Sequence, residues 1–132
     1  MDNNPLCTNT MMNLKALLIV FLGGGLGSSL RYLIGLWLNP TTFPWATLVA
    51  NSFGCLLIGL FVGYFNRMGM MKESIALFFI VGFCGGLTTF SSFSLDLFQL
   101  SKLSSLLYPL LYFVGTFVLG IICLLAGLWI SK

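Results

Sequence analysis

This sequence has few charged residues. They make up 7% of its 132 residues, and no histidine is present. An average soluble domain has about 25% charged residues. Aspartate, glutamate, lysine and arginine are all absent from three long runs, residues 32–66, 74–95 and 103–131. Because a helix needs roughly 20 apolar residues to cross a bilayer, these runs predict an integral α-helical membrane protein and exclude a soluble domain.

The sequence also lacks the spacings that indicate other kinds of site. Its four cysteines occur singly, at Cys7, Cys55, Cys84 and Cys123, and three of them lie within apolar runs. We interpret them as small apolar side chains rather than metal ligands. The net charge of +3 comes from residues that flank the apolar runs. It therefore bears on topology, and we expect no nucleic-acid partner.

The hydropathy pattern predicts four membrane spans. We place them at residues 14–38, 45–65, 72–100 and 104–130. Residues 1–13 form a polar leader, with Met11 or Met12 as alternative starts, and we expect its first ten residues to be disordered or loosely attached. Residues 14–132 then form a single four-helix transmembrane domain. No cleavage site of a secretory signal follows the first apolar run.

Four spans place both chain termini on the same side of the membrane. The side with the termini would hold four positive residues, Lys15, Arg67, Lys72 and Lys132. The opposite side would hold Lys102 and, if it extends that way, Arg31, so the excess is small. The positive-inside rule then favours cytoplasmic termini. So small a bias also permits insertion in both orientations, and the charges leave the two possibilities open.

A membrane-embedded carboxylate is missing as well. Glu73 lies at the start of the third span and Asp96 near its end. A proton-coupled exporter of organic cations needs such a carboxylate to bind the cation and the proton in turn, so this function is disfavoured. Arg31 is the one charge inside an apolar segment. It either extends to the interface as an anchor or creates an electropositive vestibule for anions.

Two helices carry polar residues four positions apart, which places each pair on one helix face. The pairs are Thr47 with Asn51 in the second span and Tyr112 with Thr116 in the fourth. Asn51 offers two N–H donors and a carbonyl acceptor. Such residues within a span mark a binding path or a hydrogen bond to a neighbouring helix.

The segment GFCGGLTTFSSFSLD, residues 82–96, interrupts the third span. We predict that Gly85 and Gly86 break the helix there and that a following Thr or Ser caps its restart. Broken helices at membrane depth occur only where the backbone is buried in protein or lines a cavity. Phe90 and Phe93 share a helix face, and their ring edges are positive. The alternative is a glycine kink with ordinary core phenylalanines.

Glycines recur at four-residue spacing in the first and second spans. Gly23 with Gly27 and Gly59 with Gly63 form GxxxG patterns, which let helix backbones approach closely in lipid. The sequence alone does not separate packing within one chain from packing between chains.

Three motifs together resemble one known family. They are GGGLGSSLRY in the first span, PWATLVANSFG in the second and GFCGGLTTFSSFS in the third. In this combination and order they resemble the small bacterial fluoride channels of the Fluc/CrcB family. The resemblance covers nearly the whole chain after the leader. One departure is Ser92, where the family more often has threonine, and a hydroxyl is kept.

The resemblance implies a fluoride-selective channel, not an enzyme, that passively exports F⁻ across the bacterial inner membrane. It implies an antiparallel homodimer of dual topology with two pores and a structural Na⁺ at its centre. Two other functions remain as alternatives, a small dual-topology multidrug or cation transporter and a structural membrane subunit.

Site residues follow from the resemblance position by position. Asn51 corresponds to the pore amide, and Phe90 and Phe93 to the paired pore phenylalanines. The backbone carbonyls of Gly85 and Thr88 correspond to the Na⁺ ligands, and Arg31 to a vestibule residue. Hydroxyls expected along the pore are those of Thr47, Ser91, Ser94, Tyr112 and Thr116.

Overall fold

The computed structural model describes residues 5–38, 43–102 and 105–132, with side chains described from residue 14 onward. Within these ranges the chain is helical and has no strand. The helices are α1 (Pro5–Trp37), α2 (Trp45–Arg67), α3 (Ser74–Ala76), α4 (Gly85–Leu87), α5 (Phe90–Ser101) and α6 (Leu107–Ile130), with a π-helical segment, Leu77–Cys84, between α3 and α4.

Four stretches in the described ranges are long and apolar enough to cross a membrane. They are Leu14–Trp37, Trp45–Arg67, Ser74–Ser101 and Leu107–Ile130. The four predicted spans are therefore confirmed to within three residues at each end. The protein is an all-helical, multi-pass membrane protein.

The first helix begins earlier than the hydropathy pattern predicts. It starts at Pro5, and proline is favoured at a first helical position because its missing N–H has no intrahelical acceptor there. The backbone is therefore already helical from Pro5 onward, inside the segment expected to be a leader; that the leader is only loosely attached stays a prediction. Residues 1–4 lie outside the described part of the chain.

The third span is broken, but not at the predicted residues. Gly85 and Gly86 are helical, and the extended residues are Thr88 and Thr89, with ψ of 152° and 120°. The prediction that the two glycines break the helix is wrong. Glycine lowers helix propensity by about 1 kcal/mol, which packing against α1 overrides. We refer to residues 74–87 as the first half-helix and to α5 as the second half-helix.

Glycines bring α1 and the first half-helix into backbone contact. A Cβ on Gly82 would lie 3.0 Å from the Gly23 Cα, and one on Gly86 would overlap the Gly24 carbonyl. The absence of side chains thus permits an approach that no other residue allows. The GxxxG pattern of the first span packs within the chain.

The second and fourth spans form a similar pair. A Cβ on Gly59 would lie 3.1 Å from the Gly127 Cα and would overlap the Leu124 carbonyl. Near the other end of the molecule, α2, α5 and α6 share a small buried cluster of Leu48, Phe93, Leu100 and Tyr112. These contacts fix the second half-helix against the α2–α6 pair.

Candidate functional site

The break in the third span is held by one side chain of α2. The Asn51 Nδ2 donates to the Thr89 carbonyl at 3.1 Å, and the Thr89 N–H donates to the Asn51 Oδ1 at 2.7 Å. A carboxamide matches this pair because it presents a donor and an acceptor side by side. Asn51 therefore satisfies both backbone groups of an extended residue at membrane depth, as a break inside a span requires.

Threonine hydroxyl groups form hydrogen bonds with backbone groups at the ends of the two half-helices. The Thr89 Oγ1 accepts from the Ser92 N–H at 3.2 Å and so caps α5. The Thr88 Oγ1 donates to the Cys84 carbonyl at 2.9 Å, at the end of the first half-helix. Capping by a hydroxyl residue, which the sequence predicts in this segment, is confirmed at Thr89.

Arg31 contacts the same break from α1. Its Nε donates to the Gly86 carbonyl at 3.2 Å, and the Ser28 Oγ donates to that carbonyl at 3.3 Å. The C-terminal end of a helix carries partial negative charge on its free carbonyls. A guanidinium there is favourable, and the hydrogen bond explains how an arginine is tolerated about 9 Å, or six residues, from the end of α1.

An open groove of about 570 Å³ collects many of the predicted site residues. Asn51, Gly85, Thr88, Phe90, Phe93 and Thr116 all line it. The Phe90 ring is 76% exposed and lies 5.9 Å from the Phe93 ring, which is buried at 4% exposure. Most of the groove surface is apolar, with a few converging polar groups, as in many ligand sites.

A second cavity of about 380 Å³ lies on the other side of the break. Arg31, Thr47, Thr89 and Ser92 line it, together with residues near the C-terminal end of α1 and the N-terminal end of α2. Thr89 lines both cavities. The break therefore lies between an apolar groove and an arginine-containing cavity that is closer to one membrane face.

The break also changes the hydrogen bonding of the Gly85 carbonyl. In a continuous α-helix this carbonyl would accept from the N–H four residues later, which is that of Thr89. Asn51 takes that N–H instead, so the Gly85 carbonyl loses its helical donor. Gly85 is exposed, and nothing lies within 4 Å of the place where its Cβ would be.

The remaining predicted hydroxyls have other surroundings. Ser91 and Ser94 are exposed; the Ser91 Oγ lies 3.1 Å from the Thr89 Oγ1, and the Ser94 Oγ donates to the Phe90 carbonyl. Tyr112 is fully buried, and its hydroxyl donates to Asp96 at 3.1 Å. The Thr116 Oγ1 donates to the Tyr112 carbonyl. Their roles in the pore stay predictions.

Comparison with known proteins identifies the family to which this arrangement belongs. Residues 18–128 match the family described as "CrcB-like protein, Camphor Resistance (CrcB)". The chain belongs to the CrcB family. The match includes the glycine-rich part of α1, Asn51 and the whole broken span, and it confirms the resemblance drawn from the three motifs.

Several curated proteins are similar to this CrcB-family chain over most of its length. A protein of Phocaeicola vulgatus is 44% identical over 124 residues, covering 90% of this chain and all of that protein. One of Flavobacterium psychrophilum is 45% identical over 122 residues, covering 90% and 98%. One of Nitrobacter winogradskyi is 44% identical over 120 residues, covering 88% and 94%. Each of the three is named a fluoride-specific ion channel FluC.

Three residues with hydrogen bonds in or near the candidate site were not named individually by the sequence reasoning. Thr89 is the backbone partner of Asn51 and the cap of α5, Ser28 shares the Gly86 carbonyl with Arg31, and Asp96 receives the Tyr112 hydroxyl. A signal exists for two of them. Thr89 is a hydroxyl residue directly before a helix, where N-cap residues occur. Ser28 lies three residues before Arg31, on the same face of α1.

Proposed function

We propose that this protein is a fluoride-selective ion channel, and not an enzyme, that lets F⁻ leave the bacterial cytoplasm passively through the inner membrane. Support comes from the names of the relatives, which are fluoride-specific ion channels. The side chains that line the groove described above are uncharged. Such a lining can bind an ion weakly enough to release it again, as conduction requires.

One observation carries the proposal, the pairing of Asn51 with Thr89 at the edge of the groove. The pairing uses the Asn51 carbonyl and one N–H, so the second N–H remains available as a donor. Phe90 follows Thr89 directly and extends its exposed ring into the same groove. An N–H donor and the positive edge of an aromatic ring both favour a small anion.

Fluoride is small and strongly hydrated, so a pore must replace its water with hydrogen-bond donors. We assign Asn51, Phe90 and Phe93 to the anion path at the break. The hydroxyls of Thr47, Ser91, Ser94, Tyr112 and Thr116 are further donors in this proposal. Arg31 attracts the anion into the second cavity, even though its Nε is used by Gly86.

A sodium ion is part of the proposal and fits the residues present. Groups of three or more His, Cys, Asp or Glu that could hold a metal are absent from the described residues, so a cation at the break would use backbone oxygens. The Gly85 carbonyl has lost its helical donor, and Thr88 is extended. Hard cations prefer such oxygen ligands. Gly85 and Thr88 would hold Na⁺, which would supply a fixed positive charge close to the groove.

Two carbonyls from one chain are few for a sodium ion, so the proposal includes an antiparallel homodimer of dual topology. A second copy would supply two more carbonyls and cover the open side of the groove. Labelling a cysteine near one terminus with a membrane-impermeant thiol reagent from one side tests the topology. About half of the molecules should react, whereas complete or zero labelling would exclude dual insertion.

Ion-selective electrodes and liposomes that contain the purified protein test the function. With the membrane potential shunted by an ionophore, fluoride-loaded liposomes should release F⁻, and chloride-loaded liposomes should retain Cl⁻. Release of organic cations instead would favour a cation transporter, and no release of any ion would favour a structural subunit. Replacing Na⁺ by N-methylglucamine before reconstitution should slow F⁻ release, and an unchanged rate would contradict the sodium site alone.

A further inference from the structure

A third cavity lies at the end of the molecule opposite the Arg31 cavity. It measures about 600 Å³ and lies between Lys15 and Ala16 of α1 and the start of the third span. Lys15, Lys72, Glu73 and Ser74 form its polar part. Its other lining residues are apolar: Ala16, Met71, Ala76, Leu77, Ile80 and Val81. Its position and lining are unrelated to the break.

Helix packing places this cavity at a membrane surface. Gly23 of α1 and Gly82 of the first half-helix are in contact, and both spans run in the same direction. Eight residues earlier, α1 reaches Lys15 and the first half-helix reaches Ser74. Lys15 and Ser74 lie at the starts of the apolar stretches Leu14–Trp37 and Ser74–Ser101. Polar or charged residues precede both stretches in the sequence, so Lys15 and Ser74 lie near a membrane surface. Arg31 is 16 residues further along α1, roughly 24 Å away, near the other surface.

Within the described part of the chain, the positive charges of the cavity are only partly balanced. Lys15 and Lys72 are exposed, and neither forms an ion pair with a residue in the described part of the chain. Glu73 is adjacent to Lys72 in sequence, but the two lysines outnumber it. The cavity thus presents an excess positive charge, with the Ser74 hydroxyl beside it.

The apolar part of the cavity extends from this charge toward the middle of the membrane. Leu77, Ile80 and Val81 lie one to two turns beyond Ser74, and the Val81 side chain is 54% exposed. A ligand that matches the whole surface needs an anionic group at the interface and a hydrocarbon chain below it. A free anion would leave the apolar wall uncovered, and a second copy of this face would bring lysines against lysines.

We propose that this cavity binds an anionic phospholipid. The phosphate lies between the Lys15 and Lys72 ammonium groups and accepts a hydrogen bond from the Ser74 hydroxyl. One acyl chain lies along Leu77, Ile80 and Val81. Basic pockets between membrane helices commonly take anionic headgroups in this way. The site is independent of what the groove conducts, so it does not rest on the proposed function.

Native mass spectrometry of the purified protein, titrated with phosphatidylglycerol or with phosphatidylcholine of the same acyl chains, tests the proposal. The protein should bind phosphatidylglycerol on the order of tenfold more tightly. The double variant Lys15→Gln/Lys72→Gln should lose this preference and keep its phosphatidylcholine binding. Lys102→Gln/Lys132→Gln changes the net charge equally at two residues that do not line the cavity, and it should keep the preference.

Four outcomes would overturn the proposal. A preference that survives in Lys15→Gln/Lys72→Gln would mean that the cavity is not the site. An equal loss in the control would mean that only total charge matters. Equal binding of phosphatidylglycerols with six-carbon and sixteen-carbon chains, or displacement by millimolar inorganic phosphate, would mean that the cavity takes a free anion rather than a lipid.

Discussion

The two glycine-packed helix pairs of this protein use the same contact and give different structures. In the α2–α6 pair, Gly59 and Gly127 meet closely and both helices remain regular. In the pair of α1 with the first half-helix, Gly23 and Gly82 meet as closely. The third span nevertheless contains a π-helical segment and then a break. Close backbone approach is therefore not what breaks a helix.

Polar side chains separate the two pairs. At the break, Asn51 pairs with Thr89, and Arg31 and Ser28 donate to the Gly86 carbonyl. In the α2–α6 pair a comparable bond occurs at the exposed end, where Arg67 donates to the Lys132 carbonyl at 3.1 Å. Since an unsatisfied backbone group in hydrocarbon costs several kcal/mol, a break persists only where side chains replace the lost helical bonds.

The largest expected effect comes from filling either glycine contact. Gly27→Val would overlap the Phe83 carbonyl, and Gly59→Val would overlap the Leu124 carbonyl. Each should cost about 3 kcal/mol or more, because helix backbones cannot shift without losing the pair. Gly25→Val is the matched control, since nothing lies within 4 Å of that position. Denaturant midpoints in detergent measure the effect, and equal damage from Gly25→Val would show that the contacts are not what matters.

Substituting the arginines should lower stability less than filling a glycine contact. The loss should be larger at Arg31, beside the break, than at Arg67 in the α2–α6 pair. Arg31→Gln removes a charge-assisted hydrogen bond to the Gly86 carbonyl and should lower stability by about 2 kcal/mol. Arg31→Lys keeps the charge without the planar N–H group, so its stability should lie between those of the unchanged protein and Arg31→Gln. Arg67→Gln should cost less than about 0.5 kcal/mol, because its bond is exposed. The same unfolding measurement compares them, and equal losses at both arginines would contradict the role given to Arg31.

The smallest effect concerns the helix cap at Thr89. Thr89→Ala removes the acceptor of the Ser92 N–H and should cost about 1 kcal/mol, whereas Thr89→Ser should keep most of the stability. Thr116→Ala in α6 is the comparison, because its hydroxyl only donates within its own helix, and it should be close to neutral. Thermal unfolding of the three variants measures the difference. A neutral Thr89→Ala would mean that Asn51 alone holds the restart of the helix.

Much of the fold was predictable because span length and apolarity are local properties of the sequence. The four spans, and a break within GFCGGLTTFSSFSLD, followed from such properties. The position of the break did not, since glycine propensity indicates Gly85 and Gly86 while the partners that decide the matter, Asn51 and Arg31, are more than 35 residues away. The helical continuation to Pro5 was missed because polar composition says little about a helix already nucleated by the adjoining span.

The candidate site was predictable as a set of residue types, and less so as geometry. Asn51, Phe90 and Phe93 do line one groove. The sequence could not indicate that Asn51 uses two of its three polar groups on the backbone of Thr89, or that Tyr112 turns its hydroxyl to Asp96. Partner choice of this kind depends on side-chain orientations that only packing determines.

Fluoride efflux from liposomes carrying Asn51→Asp tests the central claim most directly, namely that the Asn51-held break is the element that handles the anion. The carboxylate has no N–H for the Thr89 carbonyl or for an anion, and it adds a negative charge to the groove. We predict efflux on the order of a hundredfold slower than for the unchanged protein. Asn66→Asp, the same substitution at the exposed end of α2, should leave efflux unchanged. Equal efflux rates for Asn51→Asp and Asn66→Asp would contradict the account.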